Sequence, residues 1–268
     1  MTLDEHAAPA IRSREIIAPW LERRGVVGAY LAGSAARPHV DRSSDLDIVV
    51  VVEDDVYAAL PPKQRSITGI DRGPPRRKEY DLQVMSIDAL AARRTSLADH
   101  LRFYCRHAYV LFDPDRRLAP LLAELGELAP ALAHERLRVH YHEFLVCKAL
   151  HTKCLARGHR TDAQVSAARS LIALIKSLFV AAGSWVPKAA WMLEELRHLG
   201  VQEELVRRIE AAWTRPALDP FEAELEHLVG HWFTRCGHDV HERPADLERW
   251  ATTDPEAVAA RSRWSGVP

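Results

Sequence analysis

The run Leu46–Val52, LDIVVVV, is apolar along nearly its whole length. A strand with one wet face alternates polar and apolar residues, and this one does not, so it must be covered on both faces. The flanking sequence supplies what such a strand needs. Residues 26–32 (VVGAYLA) read as a second strand. Residues 11–25 read as a helix with Ile16, Ile17, Trp20 and Leu21 on one face, Pro19 in its middle and Gly25 at its end. A Pro/Gly/Arg-rich connection over 61–78 leads to a third strand at 79–87. A helix over 88–104 and a short strand at 108–112 follow. From about residue 116 the pattern becomes helical. Within 164–182, Ala168, Leu171, Ile172, Ile175, Leu178, Phe179 and Ala182 recur at helical spacing, and Gly183 and Ser184 end that helix before Pro187. The expected fold class is therefore α+β: a domain over 1–118 with a mixed β-sheet flanked by helices, then an all-helical domain over 119–268.

Chemistry concentrates in 28–52. The first strand ends at Gly33-Ser34, and ten residues later Asp45-Leu46-Asp47 opens the next. Residues i and i+2 of a strand point the same way, so Asp45 and Asp47 project together. Two adjacent carboxylates repel unless a cation lies between them. Mg²⁺, a hard ion that prefers oxygen and leaves positions for phosphate and water, suits that place. Gly33 permits close approach of the backbone to a phosphate. Ser34 adds a hydroxyl and an N–H where a helix is expected to begin. Arg37 adds charge, and Ser43 and Ser44 are small polar neighbours. Period two in the third strand puts Glu79, Asp81 and Gln83 on one face, which offers Asp81 as a third carboxylate. Such a set serves in-line phosphoryl transfer.

This combination resembles the DNA polymerase β-type nucleotidyltransferase superfamily, which includes the kanamycin, streptomycin and lincosamide nucleotidyltransferases, and its local form is close to the minimal and small-molecule (aminoglycoside-like) branch. The residues that carry the likeness are GSAAR, SSDLDIVV and the later Asp81, within about 10–118. Pro38 departs from the glycine common after the arginine. HAYVLFDPDRRLAPLL resembles the end of that domain, and GSWVPKAAWMLEEL resembles the helical C-terminal domain found behind several of its members. The resemblance implies that Asp45, Asp47 and Asp81 bind metal, with Asp81 as ligand or base. It implies that Gly33 and Ser34 bind the phosphates of an NTP substrate, ATP foremost, and that AMP passes to an acceptor hydroxyl in an interdomain cleft. In one branch a glutamate of the helical domain acts as base, a role open to Glu143. Lys148, Lys188 and Trp191 are possible pocket residues. A protein acceptor, or a non-catalytic nucleotide-binding partner of antitoxin type, are the alternatives. Some relatives share sites across a homodimer.

Charge narrows the partners. Residues 1–118 carry 18 Lys and Arg against 17 Asp and Glu, and the remainder 18 against 20, for a net charge of -1. Neither half has the basic excess expected for gripping nucleic acid, and the balance does not demand a polycationic acceptor. A small hydroxylated acceptor is the leading expectation. The four scattered cysteines, the polar N-terminus and the short apolar stretches suggest a cytoplasmic protein with no membrane segment. Three weaker features have simpler explanations. Lys63, Arg65, Arg72, Arg76, Arg77 and Lys78 could form a flap over a triphosphate, but a solvated loop explains them. His227, His231, Cys236, His238 and His241 lack paired zinc-ligand spacing. Arg102 and His107 have the R-x4-H spacing of a helical ribonuclease family, at a place where the chain turns to strand.

Overall fold

The computed structural model describes residues 7–37, 45–71, 77–95, 98–214, 223–238, 244–255 and 259. The fold is α+β, with a mixed five-stranded sheet followed by a long helical region. Two compact units result: residues 1–96 with 101–127, and residues 97–100 with 128–268.

The first unit is built on the sheet. Its strands are β1 (Val26–Ala32), β2 (Leu46–Val52), β3 (Ser66–Asp71), β4 (Arg77–Ser86) and β5 (Tyr109–Phe112), in the order β3-β4-β2-β1-β5. Among the described residues only β2 and β4 run parallel. The valine run sits at the centre, as its composition requires. On one face Ile48, Val50, Leu82 and Val84 meet Ala10, Ile17 and Trp20 of helix α1 (Ala7–Leu21). On the other, Val49 and Val51 meet Leu90 of α4 (Ile87–Ala91), Cys105 of α5 (Asp99–Arg106) and the leucines of α6 (Leu118–Gly126). Leu118, Leu121, Leu122 and Leu125 thus tie α6 to the sheet, so the first unit runs to Glu127. Asp113 caps α6 by accepting from the N–H groups of Arg117, Leu118 and Ala119.

Two expected elements differ. The 61–78 connection contains short helix α3 (Pro62–Arg65), after α2 (Asp54–Ala59), and then edge strand β3. An edge strand leaves one side open, so it needs no alternating apolar pattern: Ile70 is exposed while Ile67 packs on the core. The helix over 88–104 is broken into α4, a 3-10 turn over Ala92–Thr95, and α5. The carbonyls of Arg93 and Arg94, which would continue a helix, accept from the Arg102 guanidinium, and Thr95 bonds back to Ala92.

The second unit is led by the hairpin of α7 (Pro130–Ala156) and α8 (Arg160–Ala181), joined by three residues and hence antiparallel. Of the residues expected on its apolar face, Leu171, Ile175, Leu178 and Phe179 are buried, Ile172 and Ala182 are half-buried, and Ala168 is exposed. After a 3-10 turn over Ala189–Trp191 come α9 (Met192–His198), α10 (Glu203–Thr214), α11 (Ala223–Arg235) and α12 (Pro244–Thr253). Among the described residues α8 alone is long and apolar enough to cross a bilayer, and most of that stretch is buried inside the unit.

Candidate active site

The register of the sheet places the carboxylates. Asp47 pairs with Ala32 on β1 and with Asp81 on the parallel strand β4. Neighbouring strands lie about 4.8 Å apart and residues in register share a face, so Asp47 and Asp81 stand side by side. Asp81 pairs in turn with Thr68 on β3, whose hydroxyl donates to Asp81 Oδ1 at 2.6 Å. One row of the sheet therefore reads Thr68, Asp81, Asp47, Ala32. Asp45 lies half-buried just before β2, two residues from Asp47, while Leu46 between them is buried.

The glycine-serine corner closes against this row. Gly33 has φ +67°, the left-handed region that glycine enters freely, and a Cβ built there would overlap Asp47 Oδ2. The Asp47 carboxylate thus occupies the space a larger residue at 33 would fill. The helix expected at Ser34 is only a 3-10 turn, Gly33–Ala36, all of it buried. Four residues build little dipole, so this corner offers anions N–H groups and the Ser34 hydroxyl. Arg37 ends the turn and is buried.

Helix α5 contributes two residues that sequence reasoning did not assign to the site. Burial and then the charge of Asp47 raise the Tyr104 phenol above its ordinary range, which puts that ring close to Asp47. His107 follows α5, packs on Phe103, and is pushed down to about 4 by burial, then by Arg106 and Arg37. His107 is therefore a neutral neighbour of Arg37 near pH 7. No pattern in LRFYCRHA announces either position, because both depend on how α5 crosses the sheet.

The donor set fits a hard divalent ion. Among the described residues no three His, Cys, Asp or Glu side chains close around one point. Mg²⁺ asks for less: one or two carboxylates, with phosphate oxygens and water completing its shell. Asp47 and Asp81 supply that pair, and Thr68 fixes the orientation of one of them. Asp45 stands next to the pair.

Other candidates fall elsewhere. Ser43, Ser44 and Pro38 lie outside the described residues, as do Arg72, Arg76 and His241. Glu79 accepts from Arg12 at 2.6 Å, where the β3–β4 register slips between Gly69 and Ile70. Arg65 donates to the Leu60 carbonyl and covers the Tyr57 ring. In the second unit Glu143, 19% exposed, accepts from Arg169 at 3.2 Å. Lys188 lies over the Trp191 ring, and Trp185 is buried. His231 pairs with Gln202 and His238 with the Ala181 carbonyl. Arg102 donates to backbone carbonyls, while His107 packs on Phe103.

No curated protein matches the chain. Among solved structures, a nucleotidyltransferase-like protein from Exiguobacterium sibiricum 255-15 is similar over 96% of this chain and 78% of its own, at 12% identity and a TM-score of 0.45. Residues 13–99 match the family model described as a nucleotidyltransferase domain, a span that holds Gly33, Ser34, Asp45, Asp47 and Asp81, so the first unit carries a nucleotidyltransferase domain.

Proposed function

We propose that the chain is a Mg²⁺-dependent nucleotidyltransferase that moves a nucleoside monophosphate, AMP from ATP, onto a hydroxyl of a small-molecule acceptor. The observation that carries this reading is the in-register pair Asp47 and Asp81, set against Gly33 at the end of β1. Asp47 and Asp81 would hold the metal, with Asp45 beside them. When bound there, Mg²⁺ would neutralise charge on the α-phosphate and on the leaving pyrophosphate. The Gly33-Ser34 corner holds the β- and γ-phosphates through N–H groups and a hydroxyl, and Arg37 adds positive charge beside it. Thr68 donates to Asp81 and so fixes its carboxylate beside Asp47. The acceptor oxygen attacks the α-phosphorus, the bond to the bridging oxygen of the β-phosphate breaks, and pyrophosphate leaves with that electron pair. A carboxylate takes the acceptor's proton; Asp81 and Glu143 are the two candidates.

The balanced charge of both halves supports a small hydroxylated acceptor over nucleic acid. The test is pyrophosphate release from Mg·ATP across a panel of hydroxylated acceptors, with Asp47→Asn and Glu143→Gln. The reading expects release with at least one acceptor and a loss of at least ~100-fold in Asp47→Asn, a barrier increase of about 2.7 kcal/mol. If Glu143 is the base, Glu143→Gln lowers kcat and leaves nucleotide affinity unchanged. ATP binding without release from any acceptor would instead favour a non-catalytic partner protein, and unchanged turnover in Asp47→Asn would exclude the metal assignment.

A further inference from the structure

The sheet face that carries Asp47 and Asp81 is only partly covered. Helices α4, α5 and α6 bury Tyr30 of β1 and Val49 and Val51 of β2 on that face. Their cover reaches β4 at Met85, which packs against it partly buried. Gln83, two residues earlier on the same face, is exposed. Ser66, its partner in register on β3, is exposed too, as is Thr68. Of the three polar residues that period two assigns to β4, Asp81 serves the metal site and Glu79 pairs with Arg12. Gln83 is left with no part in the chemistry so far.

Strand order gives the reaction a direction. One row of the sheet runs Thr68, Asp81, Asp47, Ala32, and Gly33-Ser34 follows Ala32 on the β1 side. In the proposed reaction that corner holds the β- and γ-phosphates, so the leaving pyrophosphate points toward β1. In-line displacement brings the attacking oxygen in opposite the leaving group. The acceptor therefore arrives from the β4 and β3 side, over Asp81. The next row on the same face there is Ser66, Gln83, Val49. Residues two apart on a strand are separated by about 6.6 Å, and neighbours across strands by about 4.8 Å. An acceptor with one hydroxyl at Asp81 thus has Gln83 and Ser66 within reach of its others.

We infer that the exposed face of β3 and β4 is an acceptor subsite, and that its occupant is an uncharged polyhydroxylated molecule of sugar or cyclitol type. The inference rests on the nucleotidyltransferase reading and adds the acceptor's place and class. A primary amide both donates and accepts, and so does a serine hydroxyl, which matches the mixed character of neighbouring hydroxyls. In the two rows the carboxylates are Asp81 and Asp47, both engaged by the metal in this reading, and Thr68 donates to the first. The subsite therefore offers hydroxyls their hydrogen bonds and offers a polyammonium acceptor no further carboxylate. Gln83 is a specificity-determining residue that touches the acceptor and leaves the nucleotide alone.

The test uses full-length protein with Mg²⁺ and α,β-methylene-ATP, whose α–β bridge does not break. Saturation-transfer difference NMR then reads the binding of D-glucose, myo-inositol and glycerol, with kanamycin as the polycationic contrast. At least one neutral polyol should bind, and more tightly than kanamycin. Gln83→Leu should weaken that binding by at least ~10-fold, the effect of losing about one hydrogen bond, and Ser66→Ala should act in the same direction. Gln83→Asn, which keeps the amide, should restore part of it. Affinity for the ATP analogue, measured by calorimetry, should be the same in all three variants. Gln83 is exposed, so these variants leave the core intact, and circular dichroism checks it. No binding of any neutral polyol, a preference for kanamycin, or equal polyol affinity in Gln83→Leu would overturn the subsite and leave the nucleotide chemistry standing. A wild type that does not bind the analogue with Mg²⁺ would sink the underlying reading, and the subsite with it.

Discussion

At the scale of single residues, the site depends on partners as much as on its carboxylates. Thr68 donates to Asp81 at 2.6 Å, and hydrogen bonds of this kind orient a ligand and set its basicity. Thr68→Val keeps the shape and removes the donor. It should weaken metal-dependent nucleotide binding by about 10–100-fold with little change in secondary structure, as measured by calorimetric titration of Mg·ATP. His107 makes a prediction about acid. Its folded pKa, about 4, lies below the 6.5 of the free side chain, so between those values the unfolded chain binds more protons than the folded one. Stability from this residue is therefore complete above about pH 6.5 and falls as pH drops toward 4. His107→Phe should flatten that part of a plot of melting temperature against pH. The aspartates and Gly33-Ser34 were legible in the sequence because their spacing is local to two strands. Thr68 and Tyr104 were not, because their proximity to the carboxylates comes from strand order and from the crossing of α5.

At the scale of elements, legibility followed burial. β1 and β2 emerge at the bounds their apolar runs predict, since a central strand must be apolar throughout. β3, at the edge, has no such obligation and was hidden in a Pro/Gly/Arg-rich stretch. The helix over 88–104 was overestimated because its interruption depends on Arg102 reaching back to two carbonyls, a tertiary effect. The packing of α6 on α5 is close enough to test. A Cβ on Gly126 would lie 2.5 Å from the Cα of Arg106 and 2.7 Å from its backbone nitrogen, neither of which can swing aside. Gly126→Ala should therefore push α6 away from α5 and cost about 1–3 kcal/mol, visible as a shift in the urea midpoint. The same substitution on an uncrowded helix would be neutral or stabilising.

At the scale of the molecule, the sequence order of strands then helices gives the α+β architecture directly. What it did not show was the character of the helical unit's interior. Apolar periodicity identifies α8, but α7 mixes Arg136, His140 and His142 into its buried side, so a reading by hydropathy gives it no clear face. Polar residues in a helix look solvated until the neighbouring helix is placed against them. The division of labour that results has a nucleotidyltransferase domain in the first unit and charged, buried side chains in the second. In the proposed reading of the first, Asp47 and Asp81, paired across two parallel strands, would hold a divalent ion with the nucleotide. Electron paramagnetic resonance of Mn²⁺, titrated into protein with ATP, reads that directly. The account predicts a bound Mn²⁺ signal in the wild type that requires nucleotide for full affinity and is weakened at least ~100-fold in both Asp47→Asn and Asp81→Asn. Equal Mn²⁺ binding in either variant and the wild type would contradict it.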